Sequence, residues 1–221
     1  VVREAQSLIP DIHEYEDNSE GLVTSHKEFN VYSFQDGDFV LARYNAPLVS
    51  LAMRLLKHNI GCFMAGRDVG KVVKNTIHKI TNNAPQKTRI QEFESELAKW
   101  QCKEVNKALN KNQENKAENI TDRAETIRSL IRYEDNTAQD VINRINNLFS
   151  RDSGKVMLST IHRAKGLEAD RVFFLDRNQL PPRGKTGDKL AEEINLVYVG
   201  ITRAKSELHY INSKGIVTNE L

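Results

Sequence analysis

The sequence predicts an α/β fold in which a parallel sheet flanked by helices is interrupted by an all-helical insertion. Two observations predict it. Residues 1–67 and 151–221 alternate short apolar runs with amphipathic stretches, the pattern of strands joined by helices. Between residues 68 and 150 glycine almost disappears, Lys, Glu, Asn and Gln dominate, and apolar residues recur at helical spacing. The chain thus divides into a first sheet segment (1–67), a helical insertion (68–150) and a second sheet segment (151–221).

Within the first segment, strands are expected at GLVT from Gly21, EFNVYSF from Glu28, DFVLAR from Asp38 and IGCFMA from Ile60. A helix should run from about Ala46 to His58, capped by Asn45, with Pro47 in its first turn and Leu48, Leu51, Ala52, Leu55 and Leu56 on one face. In the insertion, Glu92 to Glu118 is polar enough to suggest one long solvated helix. Val141, Ile142, Ile145, Leu148 and Phe149 form an amphipathic face, opened by Thr137 with Asp140 three positions on. After Gly154 come the strands KVMLST and RVFFLD, a Pro-rich basic loop RNQLPPRGKTGDK, a helix from about Leu190 to Lys205, and a last strand ELHYIN.

Composition narrows the class. No window approaches eighteen consecutive apolar residues, so no membrane-spanning helix is expected. The opening VVREAQSLIP has neither a secretion signal nor an initiator methionine and reads as cut from something longer. Cys62 and Cys102 stand forty positions apart without zinc or CxxC spacing, which argues against disulfide or metal roles and suits a reducing cytoplasm. Residues 71–151 carry 15 basic against 11 acidic side chains, too mild an excess to establish nucleic-acid binding. Two phosphate-loop lookalikes fail. GRDVGK at Gly66 has three residues between its glycines rather than four, and GKT at Gly184 has Gln179 where a glycine is required and two prolines that remove amide donors.

Three segments carry chemistry. STIHRAKGLEADRVFFL from Ser159 reads as strand, T-x-H-x-x-K-G-L-E, strand. EEINLVYVGITRAKSEL from Glu192 ends an amphipathic helix in Y-V-x-x-T-R-A. FVLARYNAPLVSLAMRLL from Phe39 sets R-x-N at a strand-to-helix junction. Together they resemble the C-terminal motifs V, VI and IVa of superfamily 1 DNA helicases of the UvrD/Rep type. The resemblance implies the second RecA-like motor domain, a P-loop NTPase-type parallel sheet.

By that resemblance, Thr160 and His162 touch the phosphates of single-stranded DNA, and Glu168 bonds the sugar of ATP. Arg43 and Asn45 hold the strand at the carboxyl end of theirs. Arg203 is an arginine finger whose permanent charge and planar set of donors suit a transferring γ-phosphoryl group. Open parallel sheets bind ligands at strand carboxyl ends, where Thr160, His162 and Glu168 are expected, with Gly166 supplying a tight turn.

The sequence departs from the family in having no Walker A lysine, Walker B carboxylates or adenine-reading glutamine. It also has Ile194 and Asn195 where many relatives carry two arginines, and an insertion of only about eighty residues. The expectation is therefore a fragment inactive alone. Its intact parent is a 3′ to 5′ translocase with ATP and Mg²⁺ bound between this domain and a missing N-terminal RecA-like domain. Single-stranded DNA is its partner and no metal is held by this part. The alternatives are the motor half of a helicase-nuclease and a non-enzymatic DNA-binding or protein-docking module.

Overall fold

The computed structural model describes residues 1–13, 20–149, 156–182 and 184–218. The expected boundary between insertion and second sheet segment, at residues 150–155, and Arg183 of the basic loop lie outside them. The elements in chain order are α1 (Val2–Gln6), β1 (Leu22–Ser25), β2 (Phe29–Asn30), β3 (Phe39–Ala42), α2 (Asn45–Lys57) and β4 (Cys62–Met64). Next come α3 (Arg67–Ile80), α4 (Ile90–Leu109), α5 (Glu114–Leu130) and α6 (Ala138–Leu148), then β5 (Val156–Thr160), β6 (Ala169–Leu175), α7 (Gly187–Ile201), β7 (Ala204–Ile211) and β8 (Ile216–Val217).

Six strands form one sheet in the order β1-β7-β6-β3-β5-β4, and every pairing is parallel. This is the expected α/β, RecA-like arrangement. Both faces of the sheet are covered, so its central strands carry runs of consecutive apolar residues rather than alternate ones. In β3, Val40 and Ala42 join one core while Phe39 and Leu41 join the other; in β6, Phe173 and Leu175 divide from Val172 and Phe174 in the same way. Helices α2 to α6 supply the first core, and α1 and α7 the second.

Several local expectations need correction. Asn45 does not cap α2 with its side chain; it is the first helical residue, and the unsatisfied N–H groups of Asn45 and Ala46 donate instead to the Asp122 carboxylate of α5, at 2.9 and 3.1 Å. The polar stretch from Glu92 is not one solvated helix. It breaks at Asn110–Gln113, where Asn112 takes a positive φ of 54°. Phe93 and Leu97, one turn apart, are fully buried, so a narrow apolar stripe docks a helix whose average composition is polar. EFNVYSF yields only the two residues of β2, paired with β8, before Val31–Ser33 turns into a 3₁₀ helix. Helix α7 stops at Ile201, short of Lys205, because Ala204 already pairs with Ala169. The expected capping box of Thr137 and Asp140 is present at α6.

His209, for which the sequence suggests no role, stacks on Phe173 at 4.7 Å between ring centroids and lies 2.9 Å from the Glu207 carboxylate. Its Nδ1 faces His26 Nε2 at 3.1 Å, tying β7 to the end of β1. Burial, then the neighbouring His209, lowers the pKa of His26 below the ordinary imidazole value. A depressed folded-state value means that the unfolded chain takes up the proton first, so this tie favours folding above the ordinary imidazole pKa and is lost as pH falls below it. His26→Gln should accordingly flatten the acid limb of a plot of unfolding midpoint against pH, and an unchanged limb would assign the acid sensitivity elsewhere.

A candidate nucleotide and strand interface

Four of the six side chains implicated by the motifs come together. Arg43 and Asn45 follow β3, Thr160 ends β5, and His162 lies in the 3₁₀ turn Ile161–Arg163 that leaves it. All four line one cleft of about 790 Å³ at the carboxyl ends of these strands. The walls of the cleft come from α5 and α7. Thr160 is buried and His162 exposed. Loss of solvation, then the positive charge of Arg43, lowers the pKa of His162 below the ordinary imidazole value.

The cleft is rich in matched charge. Arg43 makes three hydrogen bonds to Glu193 of α7, at 3.2 and 3.0 Å from Nε and 2.7 Å from Nη2. Burial works against the Arg43 charge, but the hydrogen bonds and charge of Glu193 more than offset it and the net pKa shift is upward. The Nη1 edge of Arg43 takes part in none of these bonds. Asn45 donates from its side chain to Asp122 at 2.8 Å. Lys185 of the basic loop and Lys189 in the first turn of α7 are ion-paired with Glu118 and Glu114 of α5, so this end of the loop is tied down.

Glu168 and Arg203 stand elsewhere. Glu168 is not at a strand's carboxyl end but immediately precedes β6, at its amino end, where it is exposed. Residues 161–168 therefore cross the height of the sheet, pinned by the buried Ile161 and Ala164 and turned by Gly166 at φ 82°. Arg203 lies at the same edge, between α7 and β7. Its Nε donates to Val199 O at 3.0 Å, Nη2 to Thr202 Oγ1 at 3.0 Å and Nη1 to Leu167 O at 3.3 Å, while its carbonyl accepts from Ala169 N at 3.1 Å. Arg203 thus grips the residues on both sides of Glu168. Its side chain is partly exposed, and among the described residues one N–H on each terminal nitrogen has no acceptor.

The position of Arg203 depends on close packing of α7. A Cβ at Gly200 would lie 2.9 Å from Phe174 Cε1 and 3.5 Å from Ile161 Cγ2. Phe174 is fully buried and cannot give way easily. Gly200→Ala should therefore cost about 1–3 kcal/mol of stability, read from urea unfolding, as α7 is pushed off the sheet. A loss within error would mean that the ring yields.

Sequence reasoning did not find Glu193 or Asp122 as site residues, because each acts on a partner 150 or 77 positions away. Cys62 is buried and Cys102 exposed, and both are free; burial pushes the Cys62 thiol up to about 12. Among the described residues no helix is long and apolar enough to cross a membrane, and no group of His, Cys, Asp and Glu could hold a metal ion.

Comparison with known proteins agrees with the motifs. The chain is 34% identical over 118 residues to a probable DNA helicase II homolog of Rickettsia conorii, covering 46% of this chain and 18% of that one. It is 36% identical over 77 residues to the ATP-dependent DNA helicase Rep of Buchnera aphidicola, covering 34% and 12%. It is 47% identical over 62 residues to the ATP-dependent DNA helicase UvrD1 of Mycobacterium leprae, covering 26% and 8%. The matched stretch spans less than a fifth of each relative's length. Residues 8–215, nearly the whole chain, match the UvrD-like helicase C-terminal domain, and the chain belongs to that family.

Proposed function

We propose that the chain is the second motor domain of an ATP-dependent DNA helicase or translocase, moving 3′ to 5′ on single-stranded DNA in the cytoplasm. Its ATP pocket is split. Walker A and B residues would come from an N-terminal RecA-like domain, together with the ligands to Mg²⁺, and this chain would add Arg203 and Glu168. The supporting observation is that Arg203 is fastened to the backbone on both sides of Glu168, partly exposed, with two N–H groups that have no acceptor among the described residues. A fixed guanidinium with spare donors fits a phosphoryl oxygen, and an exposed carboxylate beside it fits a sugar hydroxyl.

ATP supplies the phosphoryl group whose transfer drives the motor. Arg203 neutralises charge developing on that group, at little reorganisation cost because its orientation is already set. On the opposite edge, Thr160, His162, Asn45 and the Nη1 edge of Arg43 hold the strand. Residues 160–168 join the two edges, so closure of the domains around nucleotide is felt in the cleft and shifts the strand-gripping state.

The pure 221-residue chain should show no ATPase above background, whereas the full-length protein should show ATPase stimulated by single-stranded DNA. Turnover by the chain alone would contradict a split pocket. Strand binding by the full-length protein without ATPase would favour a non-enzymatic module.

A further inference from the structure

The cleft also holds a cation without a counter-ion. One face of α5 turns Asn115, Asn119, Asp122, Arg123 and Thr126 toward it. Asp122 is spent on the start of α2, and Arg43, Lys185 and Lys189 are each paired with a carboxylate. Arg123 is different. Its one hydrogen bond runs from Nη1 to Thr76 Oγ1 at 3.4 Å, and among the described residues no carboxylate oxygen lies within ion-pair distance of it. The guanidinium is half-buried, and burial lowers its pKa against the partial offset of Asp122. A desolvated charge left without a partner is costly, and folds seldom keep one.

A second observation points the same way. Thr126, one turn along the same face, is only 1% exposed, and its Oγ1 has no hydrogen-bond partner among the described residues. Buried polar atoms are nearly always satisfied in native proteins. Here a hydroxyl and most of a guanidinium, both able to donate, lack acceptors on one face of α5. A phosphate, with several acceptor oxygens and a negative charge, matches that set.

We propose that Arg123 is a phosphate-binding residue for the nucleic-acid strand, supplied by the helical segment, with Thr126 as an accessory donor. The proposal rests on the reading of this cleft as the strand site. It gives the segment between β4 and β5 a direct part in binding: α5 forms the wall facing His162 and places one positive charge against the strand backbone.

The test uses the full-length protein and oligo(dT) titrated over a range of NaCl concentrations. Arg123→Gln should weaken binding roughly 10-fold and make the slope of log K against log salt shallower by about 0.7, the share of one phosphate. Arg123→Lys should restore the slope, and Thr126→Val should weaken binding without changing it. Because Arg123 has no ionic partner to lose, the unfolding midpoint of Arg123→Gln should be unchanged or higher.

An unchanged slope in Arg123→Gln overturns the proposal. So does a fall in midpoint and affinity together that Arg123→Lys does not repair, since that is the signature of a structural residue. Inorganic phosphate at matched ionic strength is the second arm. If it raises the midpoint of the wild type but not of Arg123→Gln, while the oligo(dT) slopes coincide, the ligand is free phosphate and the strand assignment falls. Absence of any oligo(dT) binding by the wild type would instead sink the functional reading itself.

Discussion

Arg203→Ala in the full-length protein should lower ATP turnover by about 10³-fold or more while leaving ATP affinity nearly unchanged. The asymmetry follows from where the charge is needed. Arg203 meets the phosphoryl group most strongly as negative charge develops on its oxygens, so its loss falls on the catalytic step rather than on ground-state binding. The Nε and Nη2 bonds fix the fork in place, and Arg203→Lys should rescue little, because a point charge on a flexible stem does not reproduce a planar pair of donors. Steady-state kinetics with saturating single-stranded DNA checks this. Equal losses in kcat and in ATP affinity would make Arg203 a structural residue of the α7–β7 turn.

Glu193→Ala should be among the most destabilising single changes in the chain, at about 3–5 kcal/mol. The Glu193 side chain is 8% exposed and that of Arg43 16%, so removing the carboxylate leaves a desolvated guanidinium facing only Glu118 at 3.8 Å. Replacing both partners, as in Arg43→Met with Glu193→Leu, should cost clearly less than Glu193→Ala alone, because no uncompensated charge then remains. Urea unfolding of the three variants measures the difference. If the double variant is no more stable than Glu193→Ala, the pair contributes by packing rather than by charge.

The sheet was legible in the sequence because a strand buried on both faces carries consecutive apolar residues, and FVLA, VML and VFFL are such runs. Helix α6 was legible because its cap and stripe are local. Helices α4 and α5 were less so, since a few apolar side chains, Phe93 and Leu97 in the one and Ile120, Ala124, Ile127 and Leu130 in the other, dock them among many polar positions. The edge on which Glu168 stands was missed for a physical reason: parallel strands ordinarily need a dozen or more residues to cross over. Residues 161–168 manage it in eight, which on paper looks like a turn that stays at one end. Arg203 was singled out from its motif alone. The carboxylates that set the charge balance of the cleft could not be found so, because Arg43 with Glu193 and Asn45 with Asp122 are contacts of tertiary structure, invisible to any periodicity.

The strand order carries one more consequence, for biosynthesis. β1 pairs with β7, β2 with β8, β3 with β5 and β6, and β4 with β5, so no strand before the helices bonds to another from before them. As the chain leaves the ribosome, its leading third has no neighbour available for any of its strands. Exposed backbone must wait until residues near 160 and then 210 have emerged, and long-range parallel pairings are the slow, aggregation-exposed kind. The helices between, able to form from local contacts, are well placed to shelter the apolar face of α2 during that interval.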